Sequence, residues 1–431
     1  MTSTTRLLAL PCSLIAMSLG CTLFDNGVTV PAADAPVALV AAITVPGNPI
    51  TSGTKSWVDA QMPTPGVYLG SLRFYLTDVS NAGVDIIDAS NNTYLGRVPG
   101  FVGAAGTAGG TPTTNGAGPN SIVFAPGNVS FVSDGNSTVQ VVDNSSMKII
   151  ASVSTAITAC DGGTATTHYC GRTNEITYDP EDQIVFVQNP SPLAVAAPHG
   201  AIDNYGTFIS AVAPYAALGT ISFPGAAGQE APLWDPDLHR ILTAVSGSLT
   251  GTAPNQTVAN PQYVAVIDPK VRPFTVEKKY VIDCQALTGT VALGINDPAL
   301  GPDQHMVIPA CGKPVIMDAR TGTVLTVITQ VGGGNETWYN PGDRRFYVTG
   351  ADATTGVTSL GVIDAVTNRW LQNVPAPQIT NPTASVVNNH IFAVVQVTAA
   401  QVADPTTDNS ACAGFGAKGK GCIAVFAHVK P

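Results

Sequence analysis

The chain has 431 residues, 45% of them hydrophobic and 11% charged, and its 29 acidic against 19 basic side chains leave a formal net charge of −10. A field of that sign, with no Lys/Arg run longer than Lys278-Lys279 or Arg344-Arg345, repels phosphate backbones and argues against a nucleic-acid partner. The 43 Gly and 33 Pro residues match the turn density of many short strands, and helix-period patterns are nearly absent.

Met1 to Cys21 reads as an export signal, with one cation at Arg6, an apolar run from Leu7 to Leu19 and small residues before Cys21. The run is too short to span a membrane. Ser18-Leu19-Gly20-Cys21 resembles a bacterial lipobox, although Ser18 stands where Leu is usual; the other reading is an ordinary cleaved signal. The expected product is periplasmic, attached to the cell surface by a lipid on Cys21, or secreted, with no other membrane contact. Residues 22–36 then form a flexible tether and residues 37–431 a single domain, expected to be monomeric.

Within that domain Ala38 to Val45 (ALVAAITV) is an apolar strand with no repeat of its own. After it a phrase of alternating β-branched residues ending on Asp recurs. It reads VDIIDAS at Val84, VQVVDNS at Val139, VAVIDPK at Val264, PVIMDAR at Pro314 and LGVIDAV at Leu360, with a degenerate IAVFAHV at Ile423. A further unit fits Gly206 to Ala213. Such internal repetition decides for one radial array rather than several domains.

Each unit reads as four strands, A to D. In the second these are Ser121–Ala125, Val129–Ser133, Thr138–Val142 and Lys148–Val153, separated by Pro126-Gly127-Asn128, Gly135-Asn136 and Asn144-Ser145. Seven such units fit, near Leu72–Pro99, Asn120–Val153, Asn174–Phe223, Glu230–Ile282, Asn296–Ile328, Asn335–Val374 and Thr383–His428. The expected fold is all-β, a seven-bladed β-propeller of four-stranded antiparallel blades. The last unit lacks its outer strand, and Ala38–Val45 is expected to pair with Ile423–Phe426 and close the ring. GPNSIVFAPGNVSFVSDGNSTVQVVDNSSMKIIASV, from Gly118, and NETWYNPGDRRFYVTGAD, from Asn335, resemble the YVTN-type repeat of secreted propellers. That resemblance implies the fold and leaves the activity open.

With strand A lining the channel, the starts of A and the ends of B share one rim. Asn120, Asn174, Glu175, Glu230, Asn296, Asp297, Asn335, Glu336 and Asn381 stand at the former, and Asp78, Asp134 and Asn189 at the latter. A ring of oxygen ligands of this kind suits Ca²⁺ or another hard cation; equally, such residues cap strands and hold channel water. QEAPLWDPDLHRILTAV, from Gln229, is similar to the EGPVWD-type opening of gluconolactonase and regucalcin propellers. The resemblance implies a divalent-cation ligand at Glu230, with Asn120 and Asp78 or Asp134 matching the family's other ligands; Asn174 and Asn335 join them as metal candidates from the rim ring alone. In that family the glutamate belongs to the first blade, whereas here it lies mid-chain. Glu175 and Glu336, in the matching phrases NEITYDP and NETWYNP, are the candidate bases.

The six histidines are scattered, with His239, His305 and His390 at the starts of B strands on the opposite rim, His428 near the C-terminus, and His168 and His199 in insertions, so a four-His iron site is not expected. No CxxCH or GxSxG occurs, and neither haem nor nucleotide is expected. The repeated Asp88, Asp143, Asp268, Asp318 and Asp364 read as turn chemistry, and Trp57, Trp234, Trp338 and Trp370 as packing between blades. Six cysteines beyond Cys12 and Cys21 agree with export; of 15 possible pairings, Cys160–Cys170, Cys284–Cys311 and Cys412–Cys422 close the simplest loops. Two functions follow: binding of a small molecule or protein partner at one rim, or metal-dependent hydrolysis of a lactone or ester.

Overall fold

The computed structural model describes residues 35–59, 72–103, 118–156, 172–190, 203–252, 256–289, 291, 293–385 and 388–429. The signal segment with Cys12 and Cys21, residues 22–34 of the tether, His168, His199 and the pair Cys160–Cys170 lie outside the described residues. Seven four-stranded antiparallel sheets make the propeller, and a two-stranded hairpin, Ser248–Thr250 with Thr257–Asn260, is inserted in the fourth.

The second blade runs Ser121–Ala125, Val129–Asp134, Thr138–Asp143 and Lys148–Ser154. Its inner strands are buried on both faces and its outer strand on alternate residues, because a blade is sandwiched between neighbours everywhere except at its outer edge. The repeated β-branched phrase is the C strand of each sandwich. Its terminal aspartate turns the chain: Asp88 accepts from the Ser90 amide at 2.8 Å, Asp143 from Ser145 at 2.8 Å and Asp364 from Val366 at 3.0 Å.

The core is a ring of clusters. Seven groups of buried apolar residues occur, and each is shared by two neighbouring blades. Phe131, Val141, Val185 and Ile209 join the second blade to the third, and Ile43, Phe74, Phe392 and Ile423 join the last to the first. Trp234, Trp338 and Trp370 pack against three of these clusters.

The seventh sheet runs Ile379–Ala384, Ile391–Val395, Cys422–His428 and, outermost, Val37–Ile43. Ile43 stands opposite Ile423 and Val37 opposite His428. Gln372 of the sixth blade grips the outer strand, accepting from the Val37 amide at 3.0 Å and donating to its carbonyl at 2.8 Å. His428, near the C-terminus, is buried, its Nε2 lying 3.0 Å from Asp343 Oδ2 and its Nδ1 2.8 Å from the Ala35 carbonyl.

The first blade also departs from the sequence reading. Its inner strand is Gly53–Asp59, and Arg73–Asp78, which opened the blade in that reading, is the second strand. Among the described residues two disulfides, Cys284–Cys311 and Cys412–Cys422, are formed. The second anchors an insertion between the B and C strands of the last blade, which meets the segment entering the first blade: the Ile50 amide donates to Lys420 O at 2.8 Å and the Val397 amide to Ile50 O at 2.9 Å. Among the described residues no helix is long and apolar enough to cross a membrane.

Deleting residues 37–43 strips Val37 and Ile43 from two interblade clusters and exposes the Cys422–His428 edge. The melting temperature should fall by roughly 10 °C or more; an unchanged value would show that the outer strand is dispensable.

Candidate functional site

The inner strands start at one rim, and three of the seven are bulged there. The register slips between Gly53 and Ser56 in the first blade, between Glu230 and Pro232 in the fourth, and between Thr380 and Pro382 in the seventh. A bulge re-aims the side chain it carries, and these three place Lys55, Glu230 and Asn381 at the channel mouth. Pro232 and Pro382 lack the amide a regular ladder needs, and Asn381 adopts a left-handed φ of 50°, which Asn tolerates better than most residues. Lys55 is pinned by Thr77, whose Oγ1 accepts from the Lys55 amide at 2.9 Å and donates to its carbonyl at 2.8 Å.

Lys55 is the hub of the site. Its side chain crosses the channel, with Nζ 3.1 Å from Glu175 Oε1 of the third blade and ion-paired to Asp297 of the fifth. Lys55, Glu175, Asp297 and Glu336 are all buried. Asp297 is held by the Ala231 amide, which donates to Oδ1 at 2.7 Å. One carboxylate oxygen from each of Glu175, Glu230 and Asp297 lies within 4.8 Å of the others.

Burial acts on every charge here. It works against the Lys55 ammonium, but the carboxylates of Glu175, Glu336 and Glu230 outweigh it and raise the lysine above its ordinary value. Burial, reinforced by the charge on Glu175, pushes Glu230 up to about 8 against the pull of Lys55 and Arg172. Glu336 is likewise pushed up to about 8, by burial first, with Lys55 opposing and Glu175 adding to the shift. Both carboxyls are thereby shifted towards their protonated forms.

Above the cluster opens a cavity of 320 Å³, with Lys55, Arg172, Glu175 and Glu230 as its charged walls and the amides of Asn174, Asn335, Asn381 and Gln396 around them. Asn335 Nδ2 donates to Asn381 Oδ1 at 3.3 Å. Arg172 leads into the third blade and donates to Asn120 Oδ1 at 3.2 Å, while Asn120 Nδ2 donates to the Thr173 carbonyl at 2.7 Å.

Of the residues singled out in the sequence, Glu175, Glu230 and Glu336 meet at the mouth, and Asn174 and Asn335 line the cavity. Asn120 serves as a bracket for Arg172. Asp78 and Asp134 do not join the cluster. Asp78 accepts from the Asn81 amide at 3.1 Å and from Asn81 Nδ2 at 2.6 Å, with Arg97 at 3.6 Å. Asp134 accepts from the Gly135 and Val102 amides at 2.8 and 3.2 Å. Their oxygens are engaged in building rim turns. Lys55 and Arg172 were missed, the first because its strand lies outside the recognisable repeat. His239, His305 and His390 stand at separate B-strand starts, away from the mouth.

No protein-family description matches the chain, and no curated protein does. Its backbone is similar to 1361 chains of solved structures. One, from the crystal structure of the mitotic checkpoint complex, superposes with a TM-score of 0.55 over 92% of this chain and 93% of that one at 10% sequence identity. The likeness is one of fold: this is a seven-bladed β-propeller.

The site leaves a pH signature. A carboxyl whose folded value is raised stabilises the fold relative to an ionised one only while the proton stays on. Glu336 thus costs nothing below its ordinary value of 4.5 and progressively destabilises as pH rises towards about 8. In Glu336→Gln the cost vanishes, so its stability margin over wild type should widen from about pH 5 to about pH 8 in urea titrations; a margin flat across that range would remove the raised carboxyl from the account.

Proposed function

We propose that this protein is a ligand-binding propeller whose site is the channel mouth at the starts of the inner strands. The supporting observation is the 320 Å³ cavity, into which five different blades or their lead-in segments send charged or amide side chains. Polar groups brought together from so many blades are costly to desolvate unless they meet a partner, and a volume near the lower end of small-molecule sites fits a compact ligand. Export to an oxidising compartment is part of the proposal; the two disulfides support it, as does the YVTN-type resemblance.

A second reading is metal-dependent hydrolysis of the lactonase type. The three carboxylates within 4.8 Å of one another favour it, since such a set suits a hard divalent cation. Glu175, Glu230 and Asp297 would hold the ion, which would polarise a carbonyl. Against it, the Lys55 ammonium is already paired with two of the three, and Glu175, one candidate base, is its partner. The ligand-binding reading needs no such displacement and is preferred.

A thermal-shift screen of small polar compounds, run beside metal analysis and a lactone panel on wild type and Glu230→Gln, separates them. Ligand binding predicts hits that the variant weakens, with no stoichiometric metal and no turnover. Bound metal and lactone turnover lost together in the variant would instead establish the hydrolase, and a screen without hits would remove the binding site.

A further inference from the structure

We propose that the channel mouth takes a small hydroxylated organic ammonium, of about the size of a hexitol, whose cation lies against Glu175 and Glu230 and whose hydroxyls are met by the surrounding amides. This rests on the ligand-binding reading and names the ligand class. Six ionisable groups face one another at the mouth: Glu175 from the third blade, Glu230 from the fourth, Asp297 from the fifth and Glu336 from the sixth, against Lys55 from the first and Arg172 from the lead into the third. Four acids meet two bases. Lys55 is engaged by Glu175 and Asp297, and Arg172 donates to the neutral Asn120 while pulling on Glu230, so two cations stand against four acids.

A second observation points to a missing donor. Glu175 is 4% exposed and lines the cavity, yet its Oε2 has no hydrogen-bond partner, and Oε2 of Glu336, 8% exposed, also lacks one. Buried carboxylate oxygens normally find donors, and an ammonium supplies up to three.

Size and wall chemistry narrow the class. The 320 Å³ cavity is larger than a bare ion needs, and among the described residues its walls are charged groups, amides and the hydroxyls of Ser52 and Thr380, with no aromatic or purely aliphatic side chain. An apolar ligand would strand the amides, and an anion would meet four carboxyl groups against two cations.

Isothermal titration of the full chain with N-methylglucamine, sorbitol and gluconate tests this, since the three share a polyol chain and differ in charge; calcium chloride is the fourth arm. N-methylglucamine should bind at least about tenfold more tightly than sorbitol, and gluconate not measurably. Glu230→Gln, with a retained cooperative melting transition, should weaken N-methylglucamine binding about tenfold; the comparison of probes on wild type stands even if that variant misfolds. Equal binding of sorbitol or gluconate, tighter binding of calcium, or no binding of N-methylglucamine overturns the proposal. Hits elsewhere in the broader screen would then leave the binding reading standing, whereas a silent screen would remove both.

Discussion

The closed ring is the constraint on which everything else rests. No blade has a core of its own; each apolar cluster is shared by two neighbours, and the series is complete only because Ile43, Phe392 and Ile423 of the last blade meet Phe74 of the first. Removing any interface leaves two blade faces wet. The outer strand of the last sheet comes from the other end of the chain, and the chain then passes under the Cys412–Cys422 insertion to begin the first blade. That path delivers Lys55 to the channel.

A ring of blades makes a site of a particular kind. Each inner strand starts at the axis, so residues far apart in sequence become neighbours: Lys55, Glu175 and Asp297 come from three blades and share one ion-paired cluster. The scaffold is indifferent to what stands there. Bulges at Lys55, Glu230 and Asn381 sacrifice ladder hydrogen bonds to aim side chains at the mouth, and the resulting group carries more acid than base in a buried setting. Buried charge without full compensation is a cost to the fold, of the sort proteins retain where something else is recognised.

Much of the scaffold was legible in the sequence. The alternating β-branched phrase with its terminal Asp fixes the C strands because burial on both faces demands such residues, and the aspartate turns follow from local backbone bonding that needs no tertiary context. Glu175, Glu230 and Glu336 could be placed at strand starts by counting from those phrases. Lys55 could not, because GTKSWVD lacks the β-branched alternation of the other strands and its blade was counted from Arg73 onward; the signal available was that the first unit was one strand short. The aspartates Asp78 and Asp134 share strand ends with true rim residues, and only coordinates reveal that Asn81 and the amides of Gly135 and Val102 already occupy them. The position of His428 near the C-terminus carries no signal of its burial against Asp343, which follows from ring closure.

The central claim is that the channel mouth holds more buried carboxyl than its cations can neutralise. Carbon-13 NMR titration of the glutamate side-chain carboxyls, with Glu230→Gln and Glu336→Gln for assignment, tests it directly. The account predicts two carboxyls titrating near 8, those of Glu230 and Glu336, each resonance vanishing in its own variant. Titration of every glutamate in the ordinary range near 4.3 would contradict it.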